Sequence, residues 1–276
     1  MTVELKRIRA HGVELNVAVG GEGPAVVLLH GFPHTWRIWE PVFPELTRDR
    51  TVIAPDLRGL GDSARPASGY TAADVAADVV ALLDALDIGQ ADVVGIDLGT
   101  PPAFLTGLTH PERVRRLVVM EALLGGLPGA GEFLRNGPPW WFGFHAVPGL
   151  AENVLTGHEE EYLDFFLRAG TLGDGVTPAF RAAVHAAYTG RDALRAAFAH
   201  YRSFPESARQ IERAAADTGL EVPTLAIGSH PVGNATYRQV RPIAEDVSGI
   251  VLENCGHIVP QHRPRELLAA LRPFLA

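Results

Sequence analysis

The sequence predicts a doubly wound α/β fold, a mostly parallel sheet interrupted by an inserted helical cap. Short, continuous apolar runs recur along the chain and alternate with segments of helical periodicity, the pattern of strands buried on both faces of a parallel sheet. From Gly125 to about Ala216 those runs stop and helical stretches rich in aromatics replace them, until a strand signal resumes at Pro223. With 276 residues, 47% of them hydrophobic and 20% charged, the chain has material for one large core plus an insertion and lies far from disordered compositions.

In chain order, Glu4 to Val19 alternates apolar and polar residues around His11-Gly12, which predicts a β-hairpin at one edge of the sheet. Further strands are expected at Ala25–Leu29, Thr51–Ala54, Ala91–Gly95, Leu117–Met120, Thr224–Gly228 and Gly249–Leu252. Thr71 to Leu86 has apolar residues at helical spacing and starts with Thr71 followed by Asp74, an N-cap with an acid in the first turn. The loop Leu127–Pro139 leads into the helical segment. The expected organisation is therefore a discontinuous core of residues 1–124 and 217–276 around a cap of residues 125–216.

A formal charge of −8 and the lack of any Lys/Arg-rich run argue against a nucleic-acid partner. No stretch of 18 apolar residues and no signal-peptide pattern at Met1–Ala10 is present, so a cytoplasmic protein without membrane association is expected. The single cysteine, Cys255, suits a reducing compartment and reads as a buried structural thiol. Neither cofactor nor metal is called for, and a homodimer is left open.

Within Val93-Val94-Gly95-Ile96-Asp97-Leu98-Gly99-Thr100, a strand runs through G-x-D-x-G into a helix, which puts Asp97 in the slot of a nucleophile elbow. A side chain on so sharp a turn needs small neighbours two residues away on each side, and the helix start offers backbone N–H groups to an anion. The plainer alternative is an ordinary turn with Asp97 capping the helix. Two companions favour the elbow. In His30-Gly31-Phe32-Pro33 the N–H of Phe32, together with that of Leu98, is a candidate oxyanion-hole donor. His257, in Cys255-Gly256-His257, follows the last apolar run, where a nucleophile–acid–histidine chain order places the base.

With these motifs and Asp56-Leu57-Arg58-Gly59-Leu60-Gly61-Asp62-Ser63, read as a structural turn, the chain resembles the α/β-hydrolase family over its whole length. Many members carry the acid that orients the histidine after the strand ending near Gly228, but Ser229 to Thr236 contains no carboxylate. Glu121, at the end of the preceding strand and 24 residues after Asp97, has the spacing of the haloalkane dehalogenases, fluoroacetate dehalogenases and epoxide hydrolases; a strand-end helix cap is the alternative role. A carboxylate attacking an ester would give a reactive anhydride, whereas attack on sp³ carbon gives a stable alkyl ester, so epoxides and haloalkanes are the implied substrates.

Trp140-Trp141-Phe142-Gly143-Phe144 and Ala199-His200-Tyr201-Arg202-Ser203 resemble cap motifs of the Cif-type epoxide hydrolases and fluoroacetate dehalogenases. The likeness implies that Trp141 and Tyr201 point at the leaving atom, with Tyr201 as general acid because an indole N–H is no practical proton source. The Cif-type enzymes have a histidine in the first slot, so Trp141 looks more like the dehalogenases or the epoxide hydrolases of polyketide pathways. The alternative for both aromatics is a place in the core, the usual role of aromatics at helical spacing. Trp140, Phe144, His145 and His200 are expected near the substrate pocket, among aromatics suited to a small hydrophobic substrate. Fluoroacetate dehalogenases have an arginine after the nucleophile and haloalkane dehalogenases usually a tryptophan; here Leu98 follows Asp97, which tilts the expectation from dehalogenation to epoxide hydrolysis. A non-catalytic binding protein on the same fold is the remaining alternative.

Overall fold

The computed structural model describes residues 3–276; Met1 and Thr2, part of the expected core segment and of the N-terminal stretch, lie outside the described residues. Eight strands form one sheet: β1 (Glu4–Ala10), β2 (Val13–Gly20), β3 (Ala25–Leu29), β4 (Thr51–Pro55), β5 (Ala91–Ile96), β6 (Val114–Met120), β7 (Thr224–Gly228) and β8 (Val247–Val251). Their spatial order is β1-β2-β4-β3-β5-β6-β7-β8. The hairpin β1–β2 turns at His11-Gly12 and occupies one edge; β2 joins β4 antiparallel and every later pairing is parallel. The chain thus reverses direction of growth around β3 and β5, and ligand sites in such sheets form beyond the carboxyl ends of the strands there.

The strands expected from continuous apolar runs are found where those runs lie, because β3 to β7 are buried on both faces. Two strand starts move, and the ends of β4, β5 and β8 shift by one residue. β6 begins at Val114, since Arg115 reaches back to the buried Asp92 with Nε and Nη2 both at 2.9 Å, so a charged residue sits comfortably in the strand. β8 begins at Val247 instead of Gly249: it is the far edge, paired on one side only and half exposed, so apolar continuity does not mark it. The helix Ala72–Ala85 carries a full capping box, with Thr71 N–H on Asp74 Oδ2 at 2.9 Å and Asp74 N–H on Thr71 Oγ1.

Between β6 and β7 the chain runs through a loop holding one 3-10 turn, Phe133–Asn136, and then through six helices from Trp140–Ala146 to Phe204–Asp217. The last of these helices lies against the core helices Ala72–Ala85 and Thr100–Thr109, where Ala72 N–H donates to Ser207 Oγ at 3.0 Å. This helix also contributes Phe204 and Ile211 to a cavity beyond the carboxyl ends of the strands. The Asp56–Ser63 turn is architectural: buried Asp56 accepts Trp36 N–H (2.7 Å), Asn16 Nδ2 (2.9 Å) and Asp62 N–H (3.0 Å). Cys255 is buried, and burial pushes its thiol up to about 11, which keeps it protonated and inert. Among the described residues no helix is long and apolar enough to cross a membrane.

Candidate active site

Asp97 ends up at the middle of the sheet because β5 does, and the turn that carries it is forced by contacts only glycine permits. A Cβ on Gly95 would lie 2.4 Å from the Gly99 carbonyl oxygen, and one on Gly99 would lie 2.5 Å from that of Leu29. Between them Asp97 adopts φ +53°, a left-handed conformation that Asp tolerates better than most residues and that lifts its side chain clear of the sheet. The same tightness continues across the neighbouring strand: a Cβ on Gly31 would sit 2.0 Å from Asp97 Oδ1.

Each carboxylate oxygen of Asp97 is engaged differently. Oδ1 accepts the Phe32 N–H at 2.7 Å, and the Leu98 N–H also hydrogen-bonds the carboxylate. Oδ2 lies 3.1 Å from His257 Nε2. On the other face of that ring, Nδ1 is 3.0 Å from Oε2 of Glu121, whose second oxygen takes the Ser229 N–H. Glu121 is 1% exposed and itself left-handed, at φ +49°. The loop after β7, empty of carboxylates, contributes a backbone donor that locks the acid arriving from β6.

Burial works against the Asp97 carboxylate, but the hydrogen bond and positive charge of His257, with His34 and the Leu98 N–H, outweigh it and hold the group below the ordinary carboxylate range. Burial likewise disfavours a charged His257, and the bonds and charges of Asp97 and Glu121 override it, raising the ring to about 10. A positive charge on His257 is thus favoured by its place between Asp97 and Glu121. Tyr201 is pushed well above the ordinary phenol range by burial first and then by the Asp97 charge, so its O–H keeps its proton.

These groups open onto a cavity of about 480 Å³ beneath the helical segment. Its wall includes Asp97, Glu121, His257, Phe32, Leu98, Trp141 and Tyr201, so the structure brings together all seven residues read from the motifs. The four expected pocket neighbours do not line it. On the helix Trp140–Ala146, Trp140 faces outward and is 55% exposed, while Phe144 packs on Tyr162. His145 is buried, stacks 4.1 Å from Phe198 and bonds the Tyr162 hydroxyl. His200, one position and so roughly 100° around the helix from Tyr201, is spent on the Arg58 carbonyl at 2.9 Å. Phe142, Phe166 and Phe204 line the cavity in their place, and Phe165 is exposed.

Among the cavity residues that escaped the sequence reading are two histidines, His34 and His230, and His34 stands in the wall beside Asp97, two residues beyond Phe32. Its position on the loop that supplies the oxyanion donor was the available signal.

The central elbow, the donor loop on the adjacent strand and the late histidine together define a hydrolase of the α/β type. The chain belongs to the α/β-hydrolase fold family, whose model matches residues 24–260. It is 31% identical over 302 aligned residues to the soluble epoxide hydrolase of Corynebacterium sp. (strain C12), covering 100% of this chain and 99% of that protein. It is 34% identical to the fluoroacetate dehalogenase of Burkholderia sp. over 125 residues, 44% of this chain and 41% of that one. The crystal structure of the Cif epoxide hydrolase from Acinetobacter nosocomialis superposes with a TM-score of 0.91 at 26% identity, covering 99% of this chain and 89% of that one.

Proposed function

We propose that the protein hydrolyses a neutral, largely apolar epoxide to a vicinal diol through an alkyl ester on Asp97. The observation that carries this reading is a carboxylate nucleophile and a protonated phenol, Asp97 and Tyr201, facing one cavity that no lysine or arginine lines. An Asp97 oxygen attacks a ring carbon, the C–O bond breaks, and Tyr201 O–H supplies a proton to the departing oxygen. The new ester holds its carbonyl oxygen at the Phe32 and Leu98 N–H groups. Water then attacks Asp97 Cγ as His257 Nε2 takes its proton; the tetrahedral intermediate collapses to the diol and the free carboxylate.

The electrostatics suit the two steps. Alkylation replaces the Asp97 anion by a neutral ester and removes its stabilisation of a charged ring, so His257 drops from about 10 toward the range in which it first gives up its proton, restoring the Tyr201 phenol by way of solvent, and then acts as a base. Glu121 remains to hold the ring and to stabilise the cation that forms. Long-chain and aromatic epoxides fit the apolar walls; a haloacid would enter a cavity lined by no lysine or arginine, where the charge on His257 is already matched by Asp97 and Glu121.

The test is to replace His257 by Gln and expose the variant to a panel of epoxides. A mass gain equal to the epoxide on the Asp97 peptide is expected. An epoxide that the native enzyme turns over but that leaves no adduct on the variant rules out the covalent route, and halide release from neutral haloalkanes without diol formation would favour dehalogenation instead.

A further inference from the structure

The loop that carries His257 is tied down on both sides, and one tie is a buried titratable side chain that the ester chemistry does not touch. His262, at the end of the short helix Val259–His262, is buried, and its Nδ1 lies 2.8 Å from the Gly256 nitrogen. A backbone N–H only donates, so Nδ1 is the acceptor and the ring proton sits on Nε2. Nε2 in turn lies 2.9 Å from Oδ2 of Asp174, just beyond the helix Glu159–Ala169, and this bond holds the Asp174 carboxyl below its ordinary range. The helix bearing His262 is itself pinned by Gln261, whose Nε2 donates to the Arg37 and Ile38 carbonyls at 3.1 and 3.0 Å.

The helical segment meets this loop at two further points. The Ile258 N–H donates to the Gly170 carbonyl at 2.9 Å, and a Cβ on Gly256 would lie 2.4 Å from that same oxygen. Only glycine lets the two backbones approach so closely. The Gly256 carbonyl accepts the Ser229 hydroxyl at 3.0 Å, and the Ser229 N–H is the group that bonds Glu121. An unbroken series of hydrogen bonds therefore runs from Asp174 through His262, Gly256, Ser229 and Glu121 to Nδ1 of His257. Gly256 is held at its N–H by His262 and at its carbonyl by Ser229. Its two backbone dihedrals are thereby fixed, and they set where the imidazole of the next residue points.

Resting on the ester mechanism above, we infer that His262 is a positioning residue: accepting the Gly256 N–H and anchored by Asp174, it aligns His257 Nε2 for the water that cleaves the Asp97 ester. His262 does not line the cavity and exchanges no proton with the substrate. Attack by Asp97 needs no proton transfer at His257, so a small tilt of the ring leaves that step nearly intact. Removing a proton from water needs Nε2 within hydrogen-bond reach and correctly aimed. Without the His262 tie, ester hydrolysis slows while alkylation does not.

Asparagine and glutamine separate the ring's two bonds. On the same backbone the Asn oxygen falls near the place of Nδ1 and can accept the Gly256 N–H, but the side chain is too short for Asp174. The Gln amide falls near Nε2 and can donate to Asp174, but leaves the Gly256 N–H unmet. The full-length variants are compared in single turnovers read by intact mass, on whichever aryl or alkyl epoxide of a panel headed by styrene oxide is turned over fastest. For His262→Gln we expect ester hydrolysis slower by about thirtyfold, the scale of a buried donor left unmet, with native alkylation. His262→Asn should recover most of this, remaining about threefold below native for the lost outer bond. Equal hydrolysis in the two variants, a slower Asn variant, or alkylation falling in step with hydrolysis overturns the inference. Should neither variant fold, Asp174→Ala changes a side chain that is 62% exposed and removes the same outer bond; about threefold slower hydrolysis with native alkylation is expected, and a native hydrolysis rate overturns the inference. In each of these cases an ester trapped in His257→Gln leaves the parent reading intact, and absence of that ester removes both.

Discussion

Replacing Glu121 by Gln probes the site with no change in volume. The native carboxylate accepts from two directions, His257 Nδ1 at 3.0 Å and the Ser229 N–H, in a place that is 1% exposed. An amide has only one acceptor atom. If its oxygen faces His257, its NH₂ confronts the Ser229 N–H; if it faces Ser229, the NH₂ confronts the ring nitrogen that must carry a proton when Nε2 acts as base. Losing a charge-assisted bond costs about 1.5–3 kcal/mol, and a buried donor left unmet adds roughly 1–3 kcal/mol. The imidazolium feels this loss most in ester hydrolysis, when Asp97 is no longer an anion. A rise of about 3–4 kcal/mol in that barrier slows hydrolysis on the order of 10²- to 10³-fold. Rapid-quench single turnovers with intact-mass detection should show a normal alkylation phase followed by a long-lived ester. Native-like hydrolysis in the variant, or equal loss in both phases, would refute the assignment of Glu121 as orienting acid.

The remaining expectations concern pH, the general acid, the elbow and the scaffold. Because Asp97 lies below its ordinary range, its carboxylate persists at mildly acidic pH, and kcat/KM should be flat from about pH 5 to 8. Hydrolysis requires neutral His257 in the ester, so a kcat limited by that step should fall with pH below roughly 6.5; superimposable acid limbs in the two profiles would contradict this. Tyr201→Phe keeps the ring packing but removes the proton source, and about a hundredfold loss in kcat/KM on epoxides is expected from steady-state assays. In Gly31→Ala the added methyl would stand 2.0 Å from Asp97 Oδ1 and must displace it; kcat/KM should drop by roughly a hundredfold or more with little change in circular dichroism. Asp56→Ala strands two buried donors, Trp36 N–H and Asn16 Nδ2, and a partly buried one, Asp62 N–H, and should cost about 3–5 kcal/mol in chemical denaturation.

Comparison with the family models and relatives places the chain among α/β hydrolases, and the full-length match to a soluble epoxide hydrolase agrees with the substrate class favoured by the Leu98 that follows Asp97. The cavity adds an independent argument, since selectivity for neutral over anionic substrates can rest on what its walls lack as much as on what they present.

Local rules in the sequence determined the strands, the capped helix, the elbow and the two flanking motifs. Each depends on short-range requirements: continuous burial, a capping box, glycines that admit a left-handed aspartate, and a histidine after the last strand. Glu121 was legible because the loop after Gly228 offers no carboxylate and the strand before it ends on one. Tertiary structure alone decided which face of each cap helix meets the cavity. Trp141 and Tyr201 line it, while Trp140, His145 and His200, adjacent in sequence or one helical turn away, point elsewhere because packing against Tyr162, Phe198 and Arg58 sets the rotation of those helices. His34 was hidden for the same reason. A histidine in a loop reveals neither its burial nor its missing partners until the segments that surround it, more than a hundred residues away in the chain, close over it.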